Sequence, residues 1–88
     1  MWKEKDNALC VELKFPNFVT AFKFMTIVAE LSECHQHHPN WSNVYNRVSI
    51  RLTTHDAGNT ITERDHALAK AIEENEQIKA LPFEIEAI

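Results

Sequence analysis

The chain has 88 residues, of which 44% are hydrophobic and 25% are charged, and its formal net charge is −4. This length allows one domain, residues 1–88, whose core is small enough that association with further copies would add useful burial. The negative charge and the lack of a basic cluster disfavour binding to nucleic acid or to an anionic membrane. No apolar run reaches the roughly 20 residues of a membrane span. The N-terminus is unlike a secretory signal, and two cysteines are too few for a disulfide scaffold, so a cytoplasmic protein is expected.

The first part of the chain predicts a hairpin followed by a long helix. In residues 2–14, turn-forming residues at 5–7 precede three aliphatic residues that alternate with polar ones and therefore share one buried face: Leu9, Val11 and Leu13. Asn17 is suited to cap a helix that runs from 18 to about 34. The apolar residues of this helix form a wide stripe, typical of a helix that lies on a sheet and meets another subunit: Phe18, Phe22, Met25 and Ala29.

Beyond Pro39, residues 44–54 predict a strand and residues 55–59 a loop. Because Gly58 is the only glycine, asparagines are expected in the left-handed turn positions: Asn7, Asn46 and Asn59. Residues 62–65 have the form of a capping box that begins a helix to about 77, and residues 78–88 form a C-terminal tail. The order strand, strand, helix, strand, strand, helix predicts an α+β fold, with a four-stranded antiparallel sheet and helices on one face.

Four of the five histidines lie between positions 35 and 55: His35, His37, His38 and His55. Imidazole titrates near neutral pH, so a cluster can hold one ring neutral and another charged, as paired acid and base catalysis requires. The first three follow the long helix and the fourth ends the returning strand. We therefore expect them to converge at one edge of the sheet.

The histidines could also be surface residues or metal ligands. A single histidine in a loop is more often a surface residue than a catalyst, and His35 and His66 are assigned to that class. A metal site is the second interpretation, because Cys34 and the histidines near it are all possible ligands. The spacing Cys-His-x-His-His is not a usual structural zinc pattern, and adjacent His37 and His38 would need unusual backbone geometry to bind one ion. No metal is therefore predicted.

The stretch 33–46, ECHQHHPNWSNVYN, followed by TTHD at 53–56, closely resembles the pterin-4a-carbinolamine dehydratases. Their pattern is an acidic residue, three positions, His-His-Pro, an aromatic residue, a histidine ten residues on and an aspartate beyond it. Every position of this pattern is filled: Glu33, His37, His38, Pro39, Tyr45, His55 and Asp65. The stretch 22–26, FKFMT, also looks like the family's helix, and the resemblance extends over roughly residues 2–74.

The resemblance implies a hydro-lyase without metal or redox cofactor. Its substrate would be the 4a-hydroxytetrahydropterin, or 4a-carbinolamine, that an aromatic amino-acid hydroxylase leaves behind. Its product would be the quinonoid dihydropterin, in tetrahydrobiopterin recycling. Water loss needs an acid that protonates the departing oxygen and a base that takes a ring N–H proton. By resemblance these roles fall to His37 and His55, in either order, while His38 binds and orients the pterin and shares in proton transfer.

The resemblance also implies that the loops beside the histidines bind the pterin, through Gln36 and through Thr53, Thr54, His55 and Asp56. Glu33 and Asp65 are further candidates for substrate binding. Glu33 either orients a histidine or is merely an exposed charge. Asp65 matches the family's aspartate but also holds the capping-box position, so both roles stay open for it.

The chain departs from the family's pattern in two places. Many members carry another helix before the position of Trp2, and this helix is expected to be absent here. The loop 56–64 is one residue longer than is common, which weakens the alignment of Asp65. Trp41 and Tyr45 are expected to pack near the site, in preference to stacking on the pterin.

A homodimer or homotetramer is predicted through the long helix, over residues 18–31. The alternative function is a non-catalytic dimerisation or regulatory binding module of the same fold. Some animal members of the family have such a role, as dimerisation cofactors of a homeodomain transcription factor. A third possibility is another pterin-related pathway, such as molybdopterin metabolism. The complete set of histidines favours the enzyme.

Overall fold

A computed structural model describes all 88 residues. Its elements are β1 (Lys3–Lys5), β2 (Ala8–Lys14), α1 (Phe18–His35), β3 (Asn40–Val44), β4 (Arg47–Leu52), a 3-10 turn (His55–Ala57), α2 (Glu63–Glu74), α3 (Glu76–Lys79) and β5 (Glu84–Glu86). The sheet is antiparallel throughout, in the order β1-β2-β4-β3. β5 pairs with the far half of β2, along the edge that β1 also uses. The prediction of an α+β fold with an antiparallel sheet is confirmed.

Alternation along the two central strands builds the inner face of the sheet. In β2 the predicted aliphatic residues are at most 5% exposed, and their partners in β4 are at most 1% exposed: Leu9, Val11 and Leu13, then Val48, Ile50 and Leu52. The register sets Val11 opposite Ile50, so side chains of both strands point to the helices. The two strands thus form the sheet side of a hydrophobic core of 15 buried residues.

Helix α1 begins where Asn17 predicts it. The Asn17 side chain accepts a hydrogen bond from the Thr20 backbone N–H at 2.9 Å, which satisfies one of the free donors of the first turn. The buried face carries Ala21, Phe24 and Val28, all 0% exposed. The predicted stripe was therefore only partly right: Met25 packs partly buried against the core, but Phe18 and Phe22 are 46% and 47% exposed, and Ala29 is exposed as well. No helix is both long enough and apolar enough to cross a membrane.

The predicted asparagine turns are confirmed at two positions and wrong at the third. Asn7 has φ 61° and Asn59 has φ 58°, a left-handed conformation that asparagine tolerates. Between β3 and β4, Tyr45 takes this conformation instead, with φ 52°. Asn46 is used differently, because its side chain donates to the Phe15 carbonyl at 2.8 Å and its own carbonyl accepts from the Phe15 N–H at 2.8 Å.

The β3–β4 turn also corrects the predicted strand 44–54. Val44 ends β3, and the second strand begins at Arg47. Tyr45 lies at the tip of this hairpin and is 64% exposed, so the expectation that it packs near the histidines was wrong. Trp41 does pack against the core, because its register opposite Ile50 turns its side chain toward the helices.

The C-terminal residues differ most from the prediction. The last helix was expected to continue to about 77, but α2 ends at Glu74 and Asn75 leaves the helical conformation with ψ 124°. The Asn75 side chain caps the short helix α3 by accepting from the Ile78 N–H at 2.9 Å. Ile78 then closes the core at 1% exposure. The predicted tail therefore contains the end of α3 and a fifth strand, and the four-stranded count was one short.

Candidate active site

A left-handed turn at the end of α1 separates the two adjacent histidines. Gln36 has φ 51° and ψ 40°, and its N–H donates to the Glu33 carbonyl at 3.2 Å, while the His37 N–H donates to the Ser32 carbonyl at 3.1 Å. This pair of bonds is a Schellman motif, in which glycine is the usual left-handed residue. The chain reverses here, so that His37 is only 6% exposed while the side chain of His38 is 64% exposed.

The buried histidine is held by a carboxylate from α2. Nε2 of His37 lies 2.6 Å from Oδ1 of Asp65, which is 0% exposed. The other oxygen, Oδ2, accepts from the Thr54 hydroxyl at 2.7 Å and from the Thr62 N–H at 2.9 Å. Asp65 thus completes the capping box of α2 and holds His37 with the same carboxylate, and the two interpretations of this residue are compatible.

Asp65 is held in its ionised form. Burial acts to raise the pKa of its carboxyl, but the hydrogen bonds from His37, Thr54 and the Thr62 backbone, together with the charge on His37, outweigh burial and hold the pKa of Asp65 below its usual 3.8. Because an ionised carboxylate only accepts hydrogen bonds, Nε2 of His37 must carry a proton. Nδ1 of His37 is therefore the nitrogen left for a ligand.

The other two predicted catalytic histidines have different partners. Nε2 of His38 lies 2.6 Å from Oε2 of Glu33, and both side chains are exposed, at 64% and 75%. Glu33 therefore does contact a histidine, from the last turns of α1. Nδ1 of His55 lies 3.1 Å from Oδ1 of Asn59, in the loop that follows β4. The three imidazoles are thus paired with a buried carboxylate, an exposed carboxylate and a neutral amide.

These elements meet around one polar cleft at the end of the sheet, with a volume of about 210 Å³. We call it the histidine cleft, and its walls are Gln36, His37, His38, Thr53, Thr54, His55, Asp56 and Arg64. Of the predicted site residues, only Glu33 and Asp65 are missing from these walls, although each contacts one of the histidines that line the cleft. Three hollows are larger, at about 530, 520 and 350 Å³, and none of them is lined by His37, His38 or His55.

Arg64 is the wall residue that sequence reasoning missed. Its Nη2 donates to the Gln36 carbonyl at 2.8 Å, which ties the first turn of α2 to the left-handed turn after α1. A cation in the first turn of a helix is electrostatically unfavourable against the positive end of the helix dipole. The position of this charge, between Thr62 and Asp65 of the capping box, was the signal available in the sequence.

No group of three or more His, Cys, Asp or Glu side chains is arranged to hold a metal ion. Cys34 is exposed and free, and Cys10 is half-buried and free. His35 and His66, both exposed, lie outside the walls of the histidine cleft. The side chains that the cleft offers to a ligand are imidazoles, hydroxyls, one amide, one carboxylate and one guanidinium.

Comparison with known proteins agrees with this arrangement. Residues 1–75 match the sequence model of the family described as pterin 4 alpha carbinolamine dehydratase. The chain belongs to this dehydratase family. The predicted family and the predicted enzyme class, a hydro-lyase, are thereby confirmed. The match includes every wall of the histidine cleft and stops before α3 and β5.

Individual members of the dehydratase family are closely similar to the chain. A protein of Prochlorococcus marinus is 51% identical over 72 residues, which cover 82% of this chain and 74% of that protein. A protein of Rhizorhabdus wittichii is 57% identical over 67 residues, 76% of this chain and 68% of its own length. Both carry the provisional name pterin-4-alpha-carbinolamine dehydratase.

A solved structure shares the fold. The crystal structure of a transcriptional coactivator/pterin dehydratase from Brucella melitensis superposes with a TM-score of 0.75 at 40% sequence identity. The superposition covers 82% of this chain and 78% of the Brucella chain. The α+β architecture of the dehydratase family is therefore the architecture found here.

Proposed function

We propose that the chain dehydrates 4a-hydroxytetrahydropterin to quinonoid dihydropterin by histidine acid and base catalysis. One observation carries this proposal: His37 and His55 line one cleft and are hydrogen-bonded to partners of different charge, Asp65 and Asn59. Because one partner is a carboxylate and the other a neutral amide, the two imidazoles are suited to different roles, one as acid and the other as base.

The reaction requires both roles in one step. The bond between carbon 4a and its hydroxyl oxygen breaks, and the oxygen leaves with the electron pair and takes a proton from an imidazolium to become water. The neighbouring ring nitrogen loses its proton to a neutral imidazole, and the electron pair of that N–H bond forms the new carbon–nitrogen double bond. Positioned acid and base groups contribute about 10²–10⁴-fold each to such a step.

The hydrogen-bond partners of His37 and His55 support different roles for the two histidines. The ionised Asp65 stabilises a positive charge on His37, which favours His37 as the acid, acting through Nδ1. The neutral amide of Asn59 gives no such stabilisation, which favours His55 as the base. His38 lines the cleft with an exposed side chain and is proposed to bind and orient the pterin.

The remaining walls suit a heterocycle with many polar atoms. A pterin presents ring N–H and amino donors beside a carbonyl and ring nitrogen acceptors. The Asp56 carboxylate can accept from the donors, and the hydroxyl of Thr53, the amide of Gln36 and the guanidinium of Arg64 offer complementary groups. These four side chains, with Thr54 at the back of the cleft, are proposed to hold the substrate.

The proposed reaction belongs in tetrahydrobiopterin recycling, after an aromatic amino-acid hydroxylase and before a reductase. No step of it requires a metal or a redox cofactor. Both cysteines are free, which is compatible with the proposed location in a reducing cytoplasm.

The direct test generates 4a-hydroxytetrahydropterin in situ and follows its dehydration in the ultraviolet, in buffer containing EDTA. We expect the protein to accelerate the loss of water well above the rate in buffer alone, with no effect of EDTA. Failure to accelerate the reaction would contradict the proposed function. Activity that EDTA abolishes would contradict the metal-free mechanism while leaving the dehydratase assignment in place.

The exposed surface of α1 supports the proposal that the protein is a homodimer or homotetramer. Phe18 and Phe22 form an edge-to-face pair with ring centroids 5.8 Å apart, and Val19 beside them is 75% exposed. At micromolar concentration, sedimentation is expected to show a dimer or tetramer that Phe22→Glu dissociates, because a charge at an apolar contact is costly. The matched control is Ile85→Glu, at another exposed apolar residue. A wild-type monomer would overturn this proposal.

The same surface of α1 is what a regulatory binding module would use. This alternative predicts that assembly through α1 persists while the histidine variants have no functional consequence. The activity test separates the two, because only the enzyme accelerates the dehydration.

A further inference from the structure

The loop that carries His55 is closed tightly on itself. It starts with the 3-10 turn His55–Ala57 and continues through two left-handed residues, Gly58 with φ 82° and Asn59 with φ 58°. The Thr54 carbonyl accepts from the Asn59 N–H at 3.1 Å, and the Thr54 N–H donates to the Thr60 carbonyl at 3.0 Å. These two bonds close the loop at its base, so that the residue at 59 is brought back beside the residue at 55.

Asn59 combines two properties at this position. Asparagine tolerates the left-handed backbone better than most residues other than glycine, and its side chain reaches Nδ1 of His55 at 3.1 Å. The contacting atom is the amide oxygen, which can only accept a hydrogen bond. The proton of a neutral His55 must therefore reside on Nδ1, and the lone pair resides on Nε2.

We propose that Asn59 is a positioning residue that sets the tautomer of His55, so that Nε2 is the nitrogen that exchanges a proton with the substrate. This proposal rests on the proposed catalytic role of His55. The hydrogen bond made by one imidazole nitrogen determines the protonation state of the other. The bond survives when His55 becomes protonated, because Nδ1 carries a proton in both states. Asn59 therefore keeps the ring in one orientation through the whole catalytic cycle.

The choice of an amide at 59 matters because other charged groups are close. The titratable or charged side chains that share the cleft with His55 are His37, His38, Asp56 and Arg64. An amide fixes the ring without adding a further charge to this set. A carboxylate at 59 would fix the same tautomer but would also stabilise the imidazolium, which would oppose the function of His55 as a base.

The tautomer is measured directly on the full chain by long-range proton–nitrogen correlation of ¹⁵N-labelled imidazoles. At a pH where His55 is neutral, we expect its signals to show the proton on Nδ1. In Asn59→Gly, glycine accepts the left-handed backbone and only the side-chain bond is lost, so the proton is expected to redistribute toward Nε2. The matching loss in kcat is about 2- to 10-fold, the range for one hydrogen bond, with KM nearly unchanged.

The conservative variant provides the second readout. Asn59→Asp is expected to retain the proton on Nδ1, and to move the limb of the pH–rate profile that reports His55 to higher pH by about half a pH unit or more. A residue with a merely structural role would not produce this shift. Asn7→Gly is the matched control, because Asn7 has the same left-handed backbone with φ 61° and its substitution leaves the His55 signals as in the wild type.

Each outcome bears on one proposal. A wild-type His55 with its proton on Nε2, or an Asn59→Gly variant with an unchanged tautomer, would overturn the role of Asn59. An unchanged kcat in Asn59→Gly despite an altered tautomer would also overturn it. These spectra do not depend on turnover, so a protein without dehydratase activity would refute the proposed function and still report the tautomer.

Discussion

Replacing His37 or His55 with alanine is expected to lower the rate of pterin dehydration by about 10²-fold or more, because each substitution removes one of the two proposed proton-transfer groups. The rate is measured with 4a-hydroxytetrahydropterin generated in situ and followed in the ultraviolet. His35→Ala is the matched control, since His35 lies two residues from His37 but is exposed and outside the walls of the cleft. We expect His35→Ala to retain wild-type activity.

His37 needs a second variant because its removal leaves Asp65 buried and without its partner, which is destabilising in itself. His37→Gln retains an N–H donor that can reach the carboxylate and lacks any group that titrates near neutral pH. A folded His37→Gln variant with less than a tenfold loss of activity would contradict the assignment of His37 as a proton-transfer group. Circular dichroism and urea unfolding establish whether each variant is folded.

Asp65→Asn is expected to have the second largest effect on activity. Three donors converge on the carboxylate, from His37, Thr54 and the Thr62 backbone. An amide offers one accepting oxygen and one donating nitrogen, so at least one donor would face another donor. The imidazolium of His37 would also lose its counter-charge. We expect a loss in kcat of about 10²-fold, together with reduced stability.

The matched control for Asp65 is Glu33→Gln, the same change at the carboxylate that partners His38. Both groups of that pair are exposed, and exposed ion pairs contribute little. The expected loss in kcat is therefore less than about fivefold. Equal effects of Asp65→Asn and Glu33→Gln would show that the buried pair has no special part in catalysis.

The free energy of unfolding of Asp65→Asn is expected to depend less on pH than that of the wild type. The pKa of Asp65 is lower in the folded state than its usual 3.8, so the ionised group stabilises the fold at pH values above 3.8. This contribution is lost as the pH falls through the pKa of the folded state. In urea unfolding between pH 7 and pH 3, the wild type should lose more stability than Asp65→Asn. A steeper loss in the variant would contradict the lowered pKa.

The relation of Asp65 to His37 shows where sequence reasoning stopped. The pattern at residues 62–65 indicated a capping box, and the family resemblance indicated a role in the site. Local sequence could not reveal that one carboxylate has both roles. That result depends on α2 packing so that its first turn faces the end of α1, which is a contact between residues 28 positions apart.

The left-handed turn at Gln36 gives a second example. The sequence presents His37 and His38 as an equivalent pair, yet one is buried and the other is exposed. The difference comes from the Schellman turn at Gln36. This turn could not be predicted from the sequence, because glycine is the usual residue at its left-handed position. Arg64, which donates to the carbonyl of that glutamine, was missed for the same reason.

The sequence by itself determined the features that depend on local periodicity and local capping. These are the inward faces of β2 and β4, the start of α1 at Asn17 and the start of α2 at Thr62. Such signals are readable because neighbours three or four residues apart share a helix face and alternate residues share a strand face. The proposal of histidines as the catalytic residues also came from the sequence, because imidazole chemistry does not depend on the fold.

Only the tertiary structure decided the features that depend on contacts between distant segments. The pairing of β5 with β2, the exposure of Tyr45, the carboxylate behind His37 and the amide beside His55 all belong to this class. Each of these contacts depends on how distant segments pack together around the core. No short stretch of the sequence contains that information. The histidines could thus be found from the sequence, whereas the hydrogen-bond partner of each one required the fold.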